Sequence, residues 1–112
     1  MESQITIKDL SRLEIRVGTV LEIQPAKNVR NPAYQLTIDF GELGKKTSSA
    51  QITDHYTIAD LVDRQVIAII NFPPKKIGVF ESQVLVLGAY ESSGTVRLLQ
   101  PDQSIANGAR LR

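Results

Sequence analysis

Few residue combinations in this sequence could support catalysis or hold a metal. His55 is the single histidine and cysteine is absent, so neither a zinc site nor a cysteine nucleophile can be assembled. A hydrolytic triad needs a histidine beside a nucleophilic serine and a carboxylate, and no Gly-x-Ser-x-Gly motif is present. The segment 41–46 lacks the spacing of a phosphate-binding P-loop. The sequence therefore predicts a binding protein with no catalytic residue, no metal and no cofactor.

Two pairs of adjacent lysines, 45–46 and 75–76, are the strongest candidates for a binding site. Positive side chains that converge on one face of a protein can contact the phosphates of a nucleic acid, and neutral polar groups can donate to phosphate or ribose. The predicted nucleic-acid-binding residues are Lys45, Lys46, Gln51, Asn71, Lys75, Lys76 and Ser82. The alternative is that these lysines are solvated residues on turns.

Overall charge and aromatic content restrict what kind of nucleic acid such a site would bind. The net charge is only +1, with 13 basic and 12 acidic residues, so binding must come from local clustering. The chain has three tyrosines and three phenylalanines, and Tyr34 and Phe40 belong to an apolar strand face. Base stacking, which contributes ~1–3 kcal/mol per base, is therefore a minor term. This favours recognition of a folded RNA backbone over a single strand.

Apolar residues around the second lysine pair suggest a different ligand. A chaperone that holds unfolded chains must expose apolar surface, and an extended peptide can add main-chain hydrogen bonds along a free strand edge. The predicted peptide-binding residues lie on and beyond the stiff Pro73-Pro74 turn: Phe72, Ile77, Val79 and Phe80. The alternative is that they are packed inside a dimer.

The segments that must position these residues are mostly strands. Alternation of apolar and polar residues predicts strands over 15–24 and 34–40, and a polar strand over 45–53. Continuous apolar residues over 66–70 indicate a strand buried on both faces, and 84–87 repeats this pattern. Short helices are predicted after Thr6 and over 57–62, where each threonine can cap the first turn.

The first strand carries two specific predictions. Its period places Ile15, Val17, Leu21 and Ile23 on one face, and Val20 on the opposite face with the polar residues. Gly18 lies in the middle of the strand, where a missing side chain marks a bulge or a sharp bend.

The order of these elements is that of an all-β, five-stranded OB-fold barrel, with a short helix between strands three and four. A helix at the N-terminus and a strand at the C-terminus lie outside this core. A length of 112 residues suits one domain, which would span 1–112. Because a small barrel has only one interior, strands that are apolar on both faces need a further cover. A second subunit would supply it, which predicts a homodimer.

The N-terminal residues and the lengths of the apolar segments indicate the cellular compartment of the protein. No N-terminal apolar run resembles a signal peptide, and no apolar stretch reaches the ~20 residues that cross a bilayer. The absence of cysteine fits a reducing compartment. We therefore expect a soluble cytoplasmic protein without membrane insertion.

Several motifs carry a resemblance to a known family. The segments 71–77 (NFPPKKI), followed by Ser82, and 15–20 (IRVGTV) resemble the tRNA-binding domain appended to methionyl-tRNA synthetases. The sequence is more similar to the stand-alone CsaA branch, through the segments 32–34, 39–41, 48–52, 66–74, 84–90 and 107–110. This resemblance implies an OB-fold homodimer that holds tRNA by shape and backbone, with a chaperone role in protein export. The alternative is a peptide-holding chaperone with no physiological tRNA role.

Overall fold

The chain is built mainly from strands, five of which form a nearly closed barrel. The computed structural model describes residues 1–112. Its elements, in chain order, are α1 (Ile7–Ser11), β1 (Ile15–Pro25), β2 (Tyr34–Asp39), a 3-10 turn (Gly41–Leu43), β3 (Lys45–Ala50), α2 (Ile58–Leu61), β4 (Gln65–Ile69), β5 (Lys75–Ile77), β6 (Phe80–Ser82), β7 (Leu85–Val86), β8 (Gly88–Tyr90) and β9 (Val96–Leu98). No helix has the length and apolar character needed to cross a membrane.

The barrel sheet has the order β3-β2-β1-β4-β7, and its neighbouring strands are antiparallel. The segment between β6 and β7 closes the gap between the two edge strands. There the backbone N–H of Gln83 donates to the carbonyl of Thr47 at 2.8 Å, and the Gln83 side chain accepts from the Thr47 N–H at 3.0 Å. The helix α2 lies between β3 and β4 along the chain, so the predicted OB-fold is confirmed.

The prediction for the faces of β1 is wrong beyond its middle. Val20 lies on the face opposite Ile15 and Val17, as predicted, but this face is buried in the barrel at Val20 although its other predicted residues are mostly polar. The register with β2 shifts between Val20 and Glu22, so one extra residue turns the rest of the strand over. Ile23 therefore packs against the same interior cluster as Val20. The irregularity lies after Val20 and not at Gly18, where a Cβ would instead lie 2.6 Å from the side chain of Ile38.

Two apolar clusters lie on opposite faces of β4, which confirms that this strand is buried on both sides. The interior cluster is centred on Phe40, Leu36 and Val66. The outer cluster contains Ile67 and Ile69 with the first half of β1, and it is covered by Leu10, Leu13, Leu87, Ala109 and Leu111 of the same chain. The doubly apolar strand therefore does not by itself require a second subunit.

The two ends of the chain cover the outer face of β1. The C-terminal segment runs antiparallel to the first half of β1, with one β-bridge from Arg110 to Arg16. Its backbone is held by hydrogen bonds of 2.9 Å, one from the Val17 N–H to Ala109 and one from the Leu111 N–H to Ile15. The predicted C-terminal strand is thus a short extended segment beside the barrel.

The helix α2 is capped as the sequence predicts. The Thr57 hydroxyl accepts from the Asp60 N–H at 3.2 Å, and the Asp60 carboxylate accepts from the Thr57 N–H at 2.9 Å. These reciprocal bonds satisfy two backbone donors that a helix start leaves free. The bond from the Thr57 backbone is also the main reason that the pKa of Asp60 lies below its ordinary value.

Candidate nucleic-acid interface

A row of polar residues crosses four neighbouring strands on one side of the barrel. Lys75 on β5 is the cross-strand partner of Ser82 on β6. The Ser82 hydroxyl accepts from the Ser49 N–H on β3 at 3.0 Å, and Ser49 is the partner of Gln35 on β2. We call Gln35, Ser49, Ser82 and Lys75 the polar row. The structure thus places Lys75 and Ser82, both predicted site residues, side by side.

Two further predicted residues lie near the polar row. Lys76 follows Lys75 on β5, is exposed, and is the cross-strand partner of Glu81. Gln51 is exposed and comes directly after β3, two residues beyond Ser49. Both residues are therefore accessible at the end of the barrel where the polar row lies.

The first lysine pair lies at the other end of β3. Lys45 is the cross-strand partner of Asp39, and Lys46 is the half-buried partner of Ile38. Ser49 is four residues beyond Lys45, which corresponds to about 13 Å at ~3.3 Å per strand residue. The two lysine pairs thus lie on connected strands but do not form one cluster.

Asn71 lies apart from the lysines and has a structural contact of its own. Its side-chain oxygen accepts from the Glu14 N–H at 3.0 Å, and its amide nitrogen donates to the carbonyl of Arg12 at 2.8 Å. These bonds join the end of β4 to the segment that links α1 and β1. The two partners are 57 and 59 residues away from Asn71 in sequence. No local sequence pattern therefore indicates these hydrogen bonds.

Three arginines are paired with carboxylates of the chain itself. Arg16 and Arg110 both contact Glu14, at 2.6 and 3.3 Å, and Arg97 contacts Glu91 at 2.6 Å. The hydrogen bond from Arg16 lowers the pKa of Glu14, and that from Arg97 lowers the pKa of Glu91. In contrast, none of the four predicted lysines forms an ion pair within the chain.

The predicted peptide-binding residues separate into two places. Ile77 and Phe80 are cross-strand partners in the β5–β6 hairpin, and Val79 at its tip is fully exposed. The turn is tight because Gly78 has a φ of +64°, which a residue without a Cβ adopts readily. Phe72 instead lines a groove of about 490 Å³ beside α1, together with Ile5, Leu10 and Leu13.

The sequence did not reveal how the polar row is joined. Gln35 and Ser49 were recognisable as polar residues of alternating strands. The bond from Ser49 to Ser82 spans 33 residues, and only closure of the barrel brings these two residues together. The polar, small residues of the third strand were the only sequence feature that indicated this surface, because such a strand is suited to a solvent-exposed binding face.

The fold and this surface define an OB-fold module with a polar, lysine-flanked face. In barrels of this class, such a face and its adjoining loops accommodate oligonucleotides and oligosaccharides. The chain belongs to the family of putative tRNA binding domains, whose model matches residues 15–110.

Solved structures and curated relatives agree with this assignment. The chain is 45% identical to the chaperone CsaA from Bacillus anthracis, with a TM-score of 0.92 and coverage of 98% of this chain and 100% of that one. The chaperone CsaA from Picrophilus torridus is also 45% identical, with a TM-score of 0.90 and coverage of 97% and 100%. The methionine–tRNA ligase of Porphyromonas gingivalis is 35% identical over 108 residues, which are 96% of this chain and 16% of that protein. The chain thus spans about one sixth of the length of that ligase.

Proposed function

We propose that residues 1–112 act as one OB-fold domain that binds tRNA by its shape and phosphate backbone and catalyses no reaction. The observation that carries this proposal is the polar row, which ends at Lys75. Lys75 and its neighbour Lys76 are exposed and form no ion pair within the chain. Unpaired lysine ammonium groups can replace the counterions of a phosphate backbone. Membership of the family of putative tRNA binding domains supports tRNA as the ligand, with Lys45, Lys46, Gln51, Lys75, Lys76 and Ser82 at the interface.

Recognition by backbone is favoured because most aromatic side chains of the barrel are already engaged. Phe40 and Tyr56 are buried in the barrel. The Tyr34 hydroxyl donates to the carbonyl of Tyr56 at 2.8 Å. Phe80 in the β5–β6 hairpin is only partly exposed, so stacking of unpaired bases contributes little. A folded RNA with a regular backbone is the better ligand for such a surface.

A salt titration tests the proposed tRNA binding. If Lys75 and Lys76 each contact a phosphate, the slope of log K against log salt should be about −1.8, and it should approach about −3.6 only if Lys45 and Lys46 contribute equally. Affinity should therefore fall roughly tenfold or more between about 50 and 200 mM salt. Fluorescence anisotropy with several unrelated tRNAs should give nearly the same slope and affinity for each. Undetectable binding at the lowest salt, or a slope near zero, would contradict the proposal.

We also propose, as the alternative activity, that the β5–β6 hairpin holds unfolded polypeptides before their export. The exposed apolar tip of the hairpin supports this, because Val79 has no neighbour covering it and Phe80 is only partly buried. Both similar solved structures are described as chaperones. Lys75 and Lys76 on the same hairpin would favour acidic or mixed peptides over strongly basic ones.

The substitution Val79→Ser tests the peptide-holding activity without disturbing the core. Because burying a valine contributes about 1.5 kcal/mol or more, half-protection of an unfolding model protein should need roughly ten times more of the variant. Light scattering by the model protein at its unfolding temperature gives the readout. The matched control is Val62→Ser, an exposed valine that directly follows α2. Equal protection by both variants would refute the role of the hairpin, and no protection by the wild type would refute the activity.

We further propose that the protein is a cytoplasmic homodimer. Support for a dimer comes from apolar residues beside α1 that the chain leaves uncovered: Ile5 and Ile7 are 73% and 76% exposed, and Phe72 is 45% exposed. Ile5 and Phe72 line one groove, Ile7 lines a second, and Leu10 belongs to both. An exposed apolar surface that continues in this way is typical of protein contacts. The proposed cytoplasmic location follows from the proposed ligand, because tRNA is encountered in the cytoplasm.

A further inference from the structure

A partly exposed arginine between α2 and β4 has no partner within the chain. Arg64 lies just before β4 and forms no ion pair. Its Nε atom is buried and lacks a hydrogen-bond partner. Nε is the only atom of the guanidinium that is enclosed in this way, so the two terminal nitrogens can still reach a ligand. A buried donor without a partner costs free energy, and in a native protein it calls for a functional or structural reason.

The guanidinium is held in place by the ring of Tyr56. The Cζ atom of Arg64 lies 5.1 Å from the centroid of this ring, a distance typical of a cation–π contact. Tyr56 is itself fixed, because its hydroxyl accepts from the Leu98 N–H at 2.9 Å and its carbonyl accepts from the Tyr34 hydroxyl at 2.8 Å. The ring is only 8% exposed. The cation therefore rests on a rigid platform.

The backbone around Arg64 is fixed as well. The carbonyl of Arg64 accepts from the Val20 N–H at 2.9 Å, and its N–H donates to the carbonyl of Leu61 at 3.1 Å. The Asp63 N–H donates to the carbonyl of Val20 at 2.8 Å. The turn from α2 into β4 is thus closed on β1. A side chain that is held at its base and at its head loses little conformational freedom when it binds a ligand.

The charged groups around this turn are bonded elsewhere and leave Arg64 uncompensated. Arg97 on β9 is paired with Glu91 at 2.6 Å. The Asp60 carboxylate accepts from the Thr57 N–H, which is the main reason that the pKa of Asp60 is lowered, and the charge of Arg64 is a minor one. Arg64 thus offers one free positive charge. A single charge matches a monoanionic carboxylate, whereas a polynucleotide is bound by several cations that each contact a phosphate.

We propose that Arg64 binds a carboxylate through its two terminal nitrogens, with Tyr56 as the platform behind the guanidinium. An arginine presents these donors in a fixed fork that matches the two oxygens of a carboxylate. The carboxylate belongs to a small organic acid or to a polypeptide, and both are recognised by the same chemistry. The inference does not rest on the proposed tRNA binding, because β4 is separated from β3 and the polar row by β1 and β2 in the sheet order.

The Nε–H signal of Arg64 in heteronuclear NMR spectra tests this site, because burial of Nε protects the proton from rapid exchange with water. Acetate, added at constant ionic strength, should shift this signal saturably in the wild type. The backbone amide of Gln65 reports on the variants. Arg64→Gln should abolish the response, and Arg64→Lys, which keeps the charge but loses the fork, should bind acetate roughly tenfold more weakly. The matched control is Arg30→Gln, which removes the same charge from an exposed, unpaired arginine and should respond like the wild type.

Two further probes identify the source of the carboxylate. A short peptide with one glutamate that binds roughly tenfold or more tightly than acetate, while its glutamine counterpart does not bind, would indicate a polypeptide ligand. Equal affinities of acetate and this peptide would indicate a small acid. Tighter binding of inorganic phosphate than of acetate would overturn the assignment to a carboxylate.

The remaining outcomes concern the site itself. The absence of a saturable shift in the wild type, or an equal shift of the Gln65 amide in Arg64→Gln, would overturn the proposal. Circular dichroism and thermal melting establish that the variants are folded, and Arg64→Lys provides the test if the glutamine variant is not. The tRNA affinity of the Arg64 variants should equal that of the wild type. A failure of tRNA binding would therefore leave this inference standing, and the loss of the acetate response would leave the proposed function standing.

Discussion

Replacement of both Lys75 and Lys76 by glutamate is expected to weaken tRNA binding roughly a hundredfold at about 0.1 M salt. Each lost phosphate contact costs about 0.9 logarithmic units at that salt concentration, and the new carboxylates add repulsion. Both side chains are exposed on a short hairpin strand, so the barrel core is not disturbed. Binding isotherms over a salt series should show the loss for every tRNA alike, together with a shallower slope.

The double variant Lys45→Glu/Lys46→Glu is the control that shows whether the loss of tRNA affinity depends on the position of the lysines or only on the total charge. Both double variants change the net charge equally, but Lys45 already lies opposite Asp39, about 13 Å along β3 from Ser49. We therefore expect the effect of the first lysine pair to be several times smaller. Unchanged binding by Lys75→Glu/Lys76→Glu would refute the hairpin as part of the interface, even if the wild type binds tRNA.

The sequence predicted the elements of this fold more successfully than it predicted how their faces are used. The absence of alternation in β4 correctly indicated burial on both sides. The cover for its outer face comes from Leu10, Leu13 and Leu111, which lie near the two ends of the chain, where periodicity carries no information on long-range contacts. In β1, a single extra residue after Val20 reversed the remaining assignments, and nothing in the alternation of apolar and polar residues marks such an irregularity.

The candidate site was predictable where its residues are close in sequence. Lys75 and Ser82 lie in one hairpin, so the turn at Gly78 suffices to bring them together. Asn71 is also close to Lys75 in sequence, but its side chain forms hydrogen bonds with Arg12 and Glu14. These bonds depend on the path of the N-terminal segment, which local sequence patterns do not predict. Gln35 and Ser49 are neighbours because of strand register, which a sequence pattern alone does not specify.

The substitution Phe40→Ala is expected to lower the free energy of unfolding by about 3–5 kcal/mol. Phe40 is completely buried in the interior cluster. Its ring faces Gly18 so closely that a Cβ on this glycine would lie 2.8 Å from it. Because Gly18 has no side chain that could move into the cavity, the site has little capacity to collapse, and the loss should approach the upper value.

Urea unfolding followed by far-ultraviolet circular dichroism measures this loss, since the chain has no tryptophan. Phe72→Ala is the matched control, because the same atoms are removed from a side chain that is 45% exposed. We expect its free energy of unfolding to fall by about 1 kcal/mol or less. Gly18→Ala should lower the free energy of unfolding by less in the Phe40→Ala background than in the wild type. The new Cβ would clash with Ile38 and Phe40 in the wild type, but only with Ile38 in that background. Equal losses for the two phenylalanine variants would show that Phe40 is not at the centre of the barrel.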